Sequence, residues 1–309
     1  MATAFWIESL ACPSCLAALG NMQRCENCGT AYPAEDGVPR LIASAASCEV
    51  RFDYSSNGSG ATGLLDRVLK EPPRYTDGDG LPYHLDLAHA ERIAKSPAGR
   101  VLEIGCGGGQ NRKWIESRGH RYVGSDISKT RVFEWLQEFG GPDLLCDAHF
   151  LPFRNEQFDI VYAAATTEHL ACPQRVAQEV YRVLKPGGYF LGNVSFLEAW
   201  HDHSYFHMSP LGVIELLTRA GFEIEFVWPG RGYSGFRAIP SMAFRGPFRA
   251  LVPFGRLMHG MYSVQTSLRG WLRKLRGRPV ETELLRQATV AGAIDWIARR
   301  PANIGVATP

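Results

Sequence analysis

From residue 100 onward, short apolar runs alternate with stretches whose apolar residues recur every three or four positions. Residues 101–104 (VLEI) read as a buried strand and 110–118 as the helix behind it. "RYVGSDIS" predicts a second strand, "DLLCDA" a third and "FDIVYAAA" a fourth. Residues 174–183 predict a helix that Pro186 and Gly187 stop within "LKPGG". "YFLGNV" predicts a fifth strand, "PLGVIELLTRAG" a helix and residues 222–229 a sixth strand. Residues 287–302, "QATVAGAIDWIARRPA", predict the last one. Alternation of this kind implies a parallel sheet with helices on both faces.

The pattern is interrupted twice. Ahead of it, residues 47–97 contain "SSNGSGATG" and "EPPRYTDGDG", a flexible and a turn-rich stretch. They end in a helix at 83–94, where Tyr83 and His84 are candidate ligand contacts. Between the sixth and last strands, residues 230–282 form an insertion with helical periodicity: Leu268, Trp271, Leu272 and Leu275 share one face, with Arg269, Arg273 and Arg276 off it. The expected organisation is a small unit at 1–46, a linker and N-terminal helical cap at 47–97, and a large domain at 98–309.

Charge changes the reading only locally. The 309 residues carry a net charge of +2, which says nothing about partners. From 226 to 280, however, there are nine arginines and one lysine and no Asp or Glu. Such a basic amphipathic segment can dock on an anionic membrane. It can also bind phosphates of a nucleic acid or of a phosphorylated substrate, or pack as a lid with its arginines in solvent. No run of about 18 apolar residues occurs, so no transmembrane helix is expected. The start of the chain lacks the features of a signal peptide. The expected location is cytoplasmic, with peripheral contact at a membrane surface through 230–280.

Four of the eight cysteines, Cys12, Cys15, Cys25 and Cys28, are spaced C-x2-C-x9-C-x2-C. Zinc takes four thiolates in a tetrahedron, and each C-x-x-C turn offers two of them. Gly29 suits the turn that such a knuckle needs. A four-thiolate site has no open position, so its expected role is structural, in a segment too short for much of a core. Cys48, Cys106, Cys146 and Cys172 have no pairing pattern and are expected to be small buried hydrophobes.

"RVLEIGCGGGQN" places Gly105, Gly107 and Gly109 in a tight turn between strand and helix, where a ligand can approach the backbone. The spacing G-x-G-x-G departs from the dinucleotide fingerprint, since Gln110 stands where a third glycine is needed. Asp126 ends the second strand, where an acid can accept from both hydroxyls of a ribose. Asp147 and Ala148 end the third, a place suited to an adenine amino group and ring edge.

In combination, "VLEIGCGGG", "GSDIS", "CDAHFLPF", "FDIVYAAATTEHL" and "RVLKPGGYFLGNV" resemble the class I S-adenosylmethionine-dependent methyltransferases, of the type 11 kind. The resemblance covers about 100–229. It implies a Rossmann-like sheet of seven strands, the last antiparallel, here with an N-terminal zinc ribbon and a helical basic insertion before that last strand. It implies cofactor contacts at Glu103, Gly105, Cys106, Gly107, Gly109, Asp126, Ile127, Asp147, Ala148 and Ala163. The first forty residues, through "AYPAEDGVPRLI", resemble the small zinc-binding activator subunit of RNA and protein methyltransferases, and also the ribbon of some rRNA guanine methyltransferases.

One histidine-rich stretch follows the fifth strand, "EAWHDHSYFHMSP". It leaves the same sheet edge as "TTEHL" after the fourth, so the two can converge over a bound sulfonium. A hydroxyl acceptor must lose a proton, and histidine titrates in the right range. His169 is the expected base or substrate-orienting group, with Glu168, His201 and Asp202 as its partners; a capping or packing role is the alternative. The ubiquinone-pathway O-methyltransferases carry Glu-x-x-Glu-His at this place and bind a divalent ion. Here Ala165 stands where the first Glu would be; a second metal, with Glu198, His201, Asp202 and His203 replacing that ligand, is the lesser alternative.

The expectation is therefore an O-methyltransferase of a small-molecule, glycan or lipid-linked acceptor, using S-adenosylmethionine and a structural Zn2+. The rivals are an RNA methyltransferase and a non-catalytic scaffold of the same fold. Against RNA base methylation, no Asn/Asp-Pro-Pro-aromatic motif follows the fourth strand; nucleic acid ranks below the small or lipid-linked acceptor as a partner.

Overall fold

The structure is a computed structural model that describes residues 11–41 (except 13, 16, 20–22, 33, 36, 37 and 40), 61–76, 81–82, 85–128, 139–230 and 233–302. Tyr83, His84 and Cys48 lie outside the described residues. The chain divides into two compact units, Met1–Ser56 and Asn57–Pro309.

In the first unit each C-x-x-C turn is closed by an antiparallel bridge, Ala11 with Ala18 and Arg24 with Ala31. The Cys12 N–H donates to Ala17 O, and the Cys25 N–H to Thr30 O. Gly29 has φ +74°, which a side chain would strain. Cys12, Leu19, Cys25 and Tyr32 form the small core.

The second unit is a seven-stranded sheet. Its strands are β1 (Arg100–Ile104), β2 (Arg121–Asp126), β3 (Leu144–Leu145), β4 (Phe158–Ala163), β5 (Leu184–Ser195), β6 (Glu223–Pro229) and β7 (Ala293–Arg299). They lie in the order β3-β2-β1-β4-β5-β7-β6. The first five strands pair in parallel, and β7 runs antiparallel between β5 and β6. This is the Rossmann-like methyltransferase sheet with its last strand antiparallel. Strand side chains alternate between faces. Leu102, Ile104 and Val161 join one apolar layer, and Val101, Ile160 and Tyr162 the other. Fully burying a side chain such as Leu191 contributes about 1.5–3 kcal/mol, which fixes the register of these central strands.

Among the described residues the α-helices are α1 (Ala61–Val68), α2 (Leu87–Lys95), α3 (Arg112–Ser117), α4 (Pro173–Val183), α5 (Pro210–Arg219), α6 (Gly235–Ala243), α7 (Val252–Leu275) and α8 (Glu283–Thr289). Four sequence expectations need correction. "LKPGG" is already strand: α4 ends at Val183, and Pro186 sits where β5 shifts register against β4, so its missing N–H interrupts no pair. Residues 287–289 finish α8 rather than begin the last strand. Helix α1 starts inside the stretch read as flexible, because Leu64, Leu65 and Val68 pack on the sheet's core. Cys172 is exposed at the start of α4 and Cys146 is half-buried, so only Cys106 of the three behaves as a buried hydrophobe.

The insertion is helical, as its periodicity predicts. Helix α7 is unusual in what it leaves uncovered: its only buried residues are Gly255 and Gly270. Phe254, Leu257, Met261, Val264, Leu268, Trp271 and Leu275 recur at helical spacing, and all are more than half exposed. The apolar stripe therefore faces away from the domain's own core. No described helix is long and apolar enough to cross a membrane.

Candidate active site

The carboxyl ends of β1, β2, β3 and β4 surround a cleft of about 910 Å3. Two glycines form its floor. Gly105 has φ +69°, and a Cβ there would stand 2.2 Å from Thr166 Oγ1; Gly107 has φ +55°. Only glycine allows this backbone without strain. Asp126 at the end of β2 locks the turn: its Oδ2 accepts the Gly107 N–H at 2.9 Å, and its Oδ1 accepts the Ile127 N–H at 2.7 Å. The acid is thereby held in place at the cleft wall before any ligand arrives.

Beyond β3, Asp147 Oδ1 accepts both the backbone N–H of His149 and the His149 ring, which pulls the carboxyl below its ordinary range. His149 Nε2 accepts the Cys172 N–H, so its proton is on Nδ1. Asp147 thus caps the turn that presents Ala148 to the cleft.

Of the sequence-derived residues, Gly105, Gly107, Asp126, Ile127, Asp147, Ala148, His169 and Asp202 line the cleft. Glu103, Cys106, Gly109 and Ala163 do not. Glu103 is buried beneath the turn, where it accepts from Asn111 Nδ2 at 2.6 Å and from the Tyr122 hydroxyl; burial pushes its carboxyl up to about 7. It ties β1, β2 and the start of α3 together. Cys106 is fully buried, with its sulfur in the space beside Gly124. A Cβ on Gly109 would meet Gly141 O at 2.9 Å, so this glycine serves a contact between loops. Ala163 lies buried at the end of β4, two residues short of the cleft wall formed by Ala165 and Thr166.

The sequence reading missed Thr166, Ser125 and Tyr205 in the lining. It missed Ser195 and Asn193 behind it. Asn193 Oδ1 accepts the Ala165 N–H at 2.6 Å and holds Ala165 at φ +48°. A non-glycine residue at positive φ between two strand ends is the kind of strain found at ligand sites. Only "AAATT", a run too small to pack as an ordinary helix start, hinted at it.

The histidine stretch folds back onto this turn. The Tyr205 and Phe206 N–H groups donate to Glu168 O, and Met208 N–H donates to Ser195 O. Asp202 and His203 are both at positive φ, +42° and +58°. The result brings Glu168, His169 and His201 together: their candidate ligand atoms all lie within 4.8 Å of one another. The His169 and His201 rings meet edge to face at 5.5 Å, and His207 follows at 5.8 Å from His201. His201 Nδ1 donates to Ala199 O.

Glu168 is 1% exposed. Its Oε1 lies 2.9 Å from Ser195 Oγ, and Glu198 Oε2 lies 2.7 Å from the same oxygen. One hydroxyl has one proton, so two carboxylates on it require a shared second proton or the repulsion of two charges. Burial pushes Glu168 up to about 7, and the nearby Glu198 adds to this. Burial, and then the neighbouring His201, lower the pKa of His169. His169 is therefore neutral at pH 7, and its buried Nδ1 has no partner.

In the first unit, Cys12 and Cys28 sulfurs are 3.6 Å apart and Cys15 and Cys25 sulfurs 3.7 Å. All four lie within 4.8 Å of one another. Zn–S bonds of about 2.3 Å in a tetrahedron set S–S distances near 3.8 Å, so these side chains fit zinc as placed.

Residues 102–192 match the sequence model of a family described as "Methyltransferase domain". The sterol 24-C-methyltransferase erg6 of Schizosaccharomyces pombe is 35% identical over 109 residues, 33% of this chain and 29% of that protein. The phthiotriol/phenolphthiotriol dimycocerosates methyltransferase 1 of Mycobacterium ulcerans is 33% identical over 114 residues, 35% of this chain and 41% of that protein. The chain thus spans less than half the length of either relative. Among solved structures, the complex between the Haloferax volcanii Trm112 methyltransferase activator and the putative methyltransferase is similar at 20% identity, with a TM-score of 0.44, over 78% of this chain and 93% of that one. The family match spans strands β1 to β4 and most of β5, with the turns between them.

Proposed function

We propose that the chain is an S-adenosylmethionine-dependent methyltransferase that methylates a hydroxyl of a lipophilic or lipid-linked acceptor. One observation carries this reading. The cleft has the glycine turn and Asp126 on one wall, and on the other His169, backed by buried Glu168 and His201.

The cofactor would lie with its methionine part over Gly105 and Gly107, its ribose at Asp126 and its adenine at Ala148. Once bound, it supplies an electrophilic methyl group on a positive sulfur, so alignment of the acceptor is the larger part of catalysis. His169, neutral at pH 7, accepts the acceptor's hydroxyl proton on an imidazole nitrogen. Ionised Glu168 offsets the charge that His169 then gains, while the loop at Asp202 and His203 forms part of the cleft wall.

The lipophilic acceptor is supported by exposed apolar side chains at the cleft mouth, Ile127 at 64% and Tyr205 at 64% exposure. Both relatives are named for lipophilic substrates, although the sterol enzyme is named for transfer to carbon. In this reading the protein works in the cytoplasm, touches a membrane through 230–280, and holds a structural zinc at Cys12, Cys15, Cys25 and Cys28.

The test is a partition of label. Purified protein and methyl-labelled S-adenosylmethionine are incubated with membrane lipids, soluble metabolites and RNA separately. Alkali-stable label in the lipid fraction, lost in His169→Asn, is expected. Label in RNA would favour the RNA methyltransferase instead, and failure to bind the cofactor would leave a scaffold.

A further inference from the structure

Helices α6 and α7 enclose a second cleft, of about 550 Å3, lined almost wholly by apolar atoms. We propose that this cleft binds the aliphatic chain of an acidic lipid, and that it is the tail site for the acceptor whose hydroxyl reaches His169. The acceptor part of this inference rests on the function proposed above; the chain-binding part does not.

The cleft is built by close backbone approach. A Cβ on Gly255 of α7 would stand 2.1 Å from Phe236 O, so only glycine lets α7 reach α6 here. A Cβ on Gly235 would stand 2.7 Å from Leu197 Cβ and 2.8 Å from Leu197 O. Leu197 is itself part of the lining. It is followed directly by Glu198, which shares Ser195 with Glu168, and four positions on by His201. Leu197 in the apolar cleft and Asp202 and His203 in the cofactor cleft are thus the two ends of one short segment, 197–203. A substrate with its chain over Leu197 lies five residues along the chain from the wall of the cofactor cleft at Asp202.

The cleft is also open to the apolar stripe of α7. Ile239, Phe254 and Met258 line it and remain 47%, 58% and 37% exposed. Exposed apolar surface of this extent needs a cover. A second copy of the same arm would set ten basic residues against ten more, with no acid between 226 and 280 to relieve them. An acidic lipid supplies the missing charge. Arg245, Arg249 and Arg256 stand within two positions of the lining residues Phe244, Leu251 and Gly255, and all three are exposed. Each CH2 of an aliphatic chain gains from burial in such a cleft, so the chain would hold the substrate while the charged head selects it.

The probe is cis-parinaric acid, titrated by fluorescence into the full-length protein without vesicles, alongside its methyl ester. Saturable binding of one molecule per chain is expected, with the ester weaker by several fold. Ile239→Trp and Met258→Trp, which fill the cleft from its open side, should each weaken binding at least tenfold while thermal unfolding is unchanged. Val264→Asp, on the stripe but outside the cleft, should leave it within twofold. Unchanged binding in both tryptophan variants, or equal loss in Val264→Asp, would overturn the proposal; an ester that binds as tightly as the acid would overturn the acidic head group. S-adenosylhomocysteine is titrated into the same samples. Absence of that binding, with parinarate still captured, would sink the methyltransferase reading and leave the chain site standing.

Discussion

Asp126 accepts the backbone N–H of Gly107 at 2.9 Å. The acid at the end of β2 and the glycine turn after β1 are therefore one preformed unit, and the loss of either disorders both. Removing a hydrogen bond to a charged group costs about 1.5–3 kcal/mol. Asp126→Ala loses at least one within the protein as well as those to a ribose. We expect its affinity for S-adenosylhomocysteine to fall by about 100-fold or more, on the scale of 1.4 kcal/mol per tenfold, as read by calorimetry. Asp126→Asn keeps one acceptor oxygen and should fall between it and the wild type.

The Glu168 carboxyl, pushed up to about 7, gives a pH dependence with a definite sign. Its unfolded value is about 4.3. Between these values the folded protein holds a proton that the unfolded chain has released. Stability from this group is thus full below the unfolded value and lost as pH rises to about 7. Glu168→Gln should flatten that slope in part, since Glu103 contributes a similar one. For activity, the acid limb of kcat/KM should turn near pH 7 in the wild type. In Glu168→Gln it should shift below the ordinary histidine range, because burial and His201 lower His169. An unshifted limb would remove Glu168 from the mechanism.

Two glycines of α7 make a paired test of packing. Nothing lies within 4 Å of a Cβ placed on Gly260, whereas one on Gly255 meets the Phe236 carbonyl. Gly260→Ala should stabilise the protein by about 1 kcal/mol through helix propensity. Gly255→Ala should destabilise it by about 1–3 kcal/mol through overpacking. Chemical denaturation of the two variants checks the sign of each.

The cysteine cluster predicts one zinc per chain by elemental analysis. Cys25→Ser, or removal of zinc by a chelator, should open residues 11–41 to protease, since metal binding supplies roughly 10 kcal/mol or more of folding energy to such small sites. S-adenosylhomocysteine binding by the second unit should persist, because its core lies wholly within residues after 57.

The chain's linear pattern determined the sheet and the turns that carry the cofactor cleft. Glycine at 105 and 107, the acid at 126, and strands that alternate with helices are local requirements, visible wherever backbone conformation or periodicity demands a residue type. The four-cysteine spacing is local in the same way. What the sequence left open depended on residues far apart. Ser195 meets Glu168 across 27 positions, and this contact alone raises the question of a shared proton. Glu103 carries the family pattern, yet Asn111 and Tyr122 hold it beneath the turn, away from the cleft. The stripe on α7 was legible as a periodicity, but a period cannot say which way a helix faces. Only the tertiary structure decided that, because it is the approach of Gly255 to Phe236 that sets α7 on its glycines and leaves its apolar side chains outside.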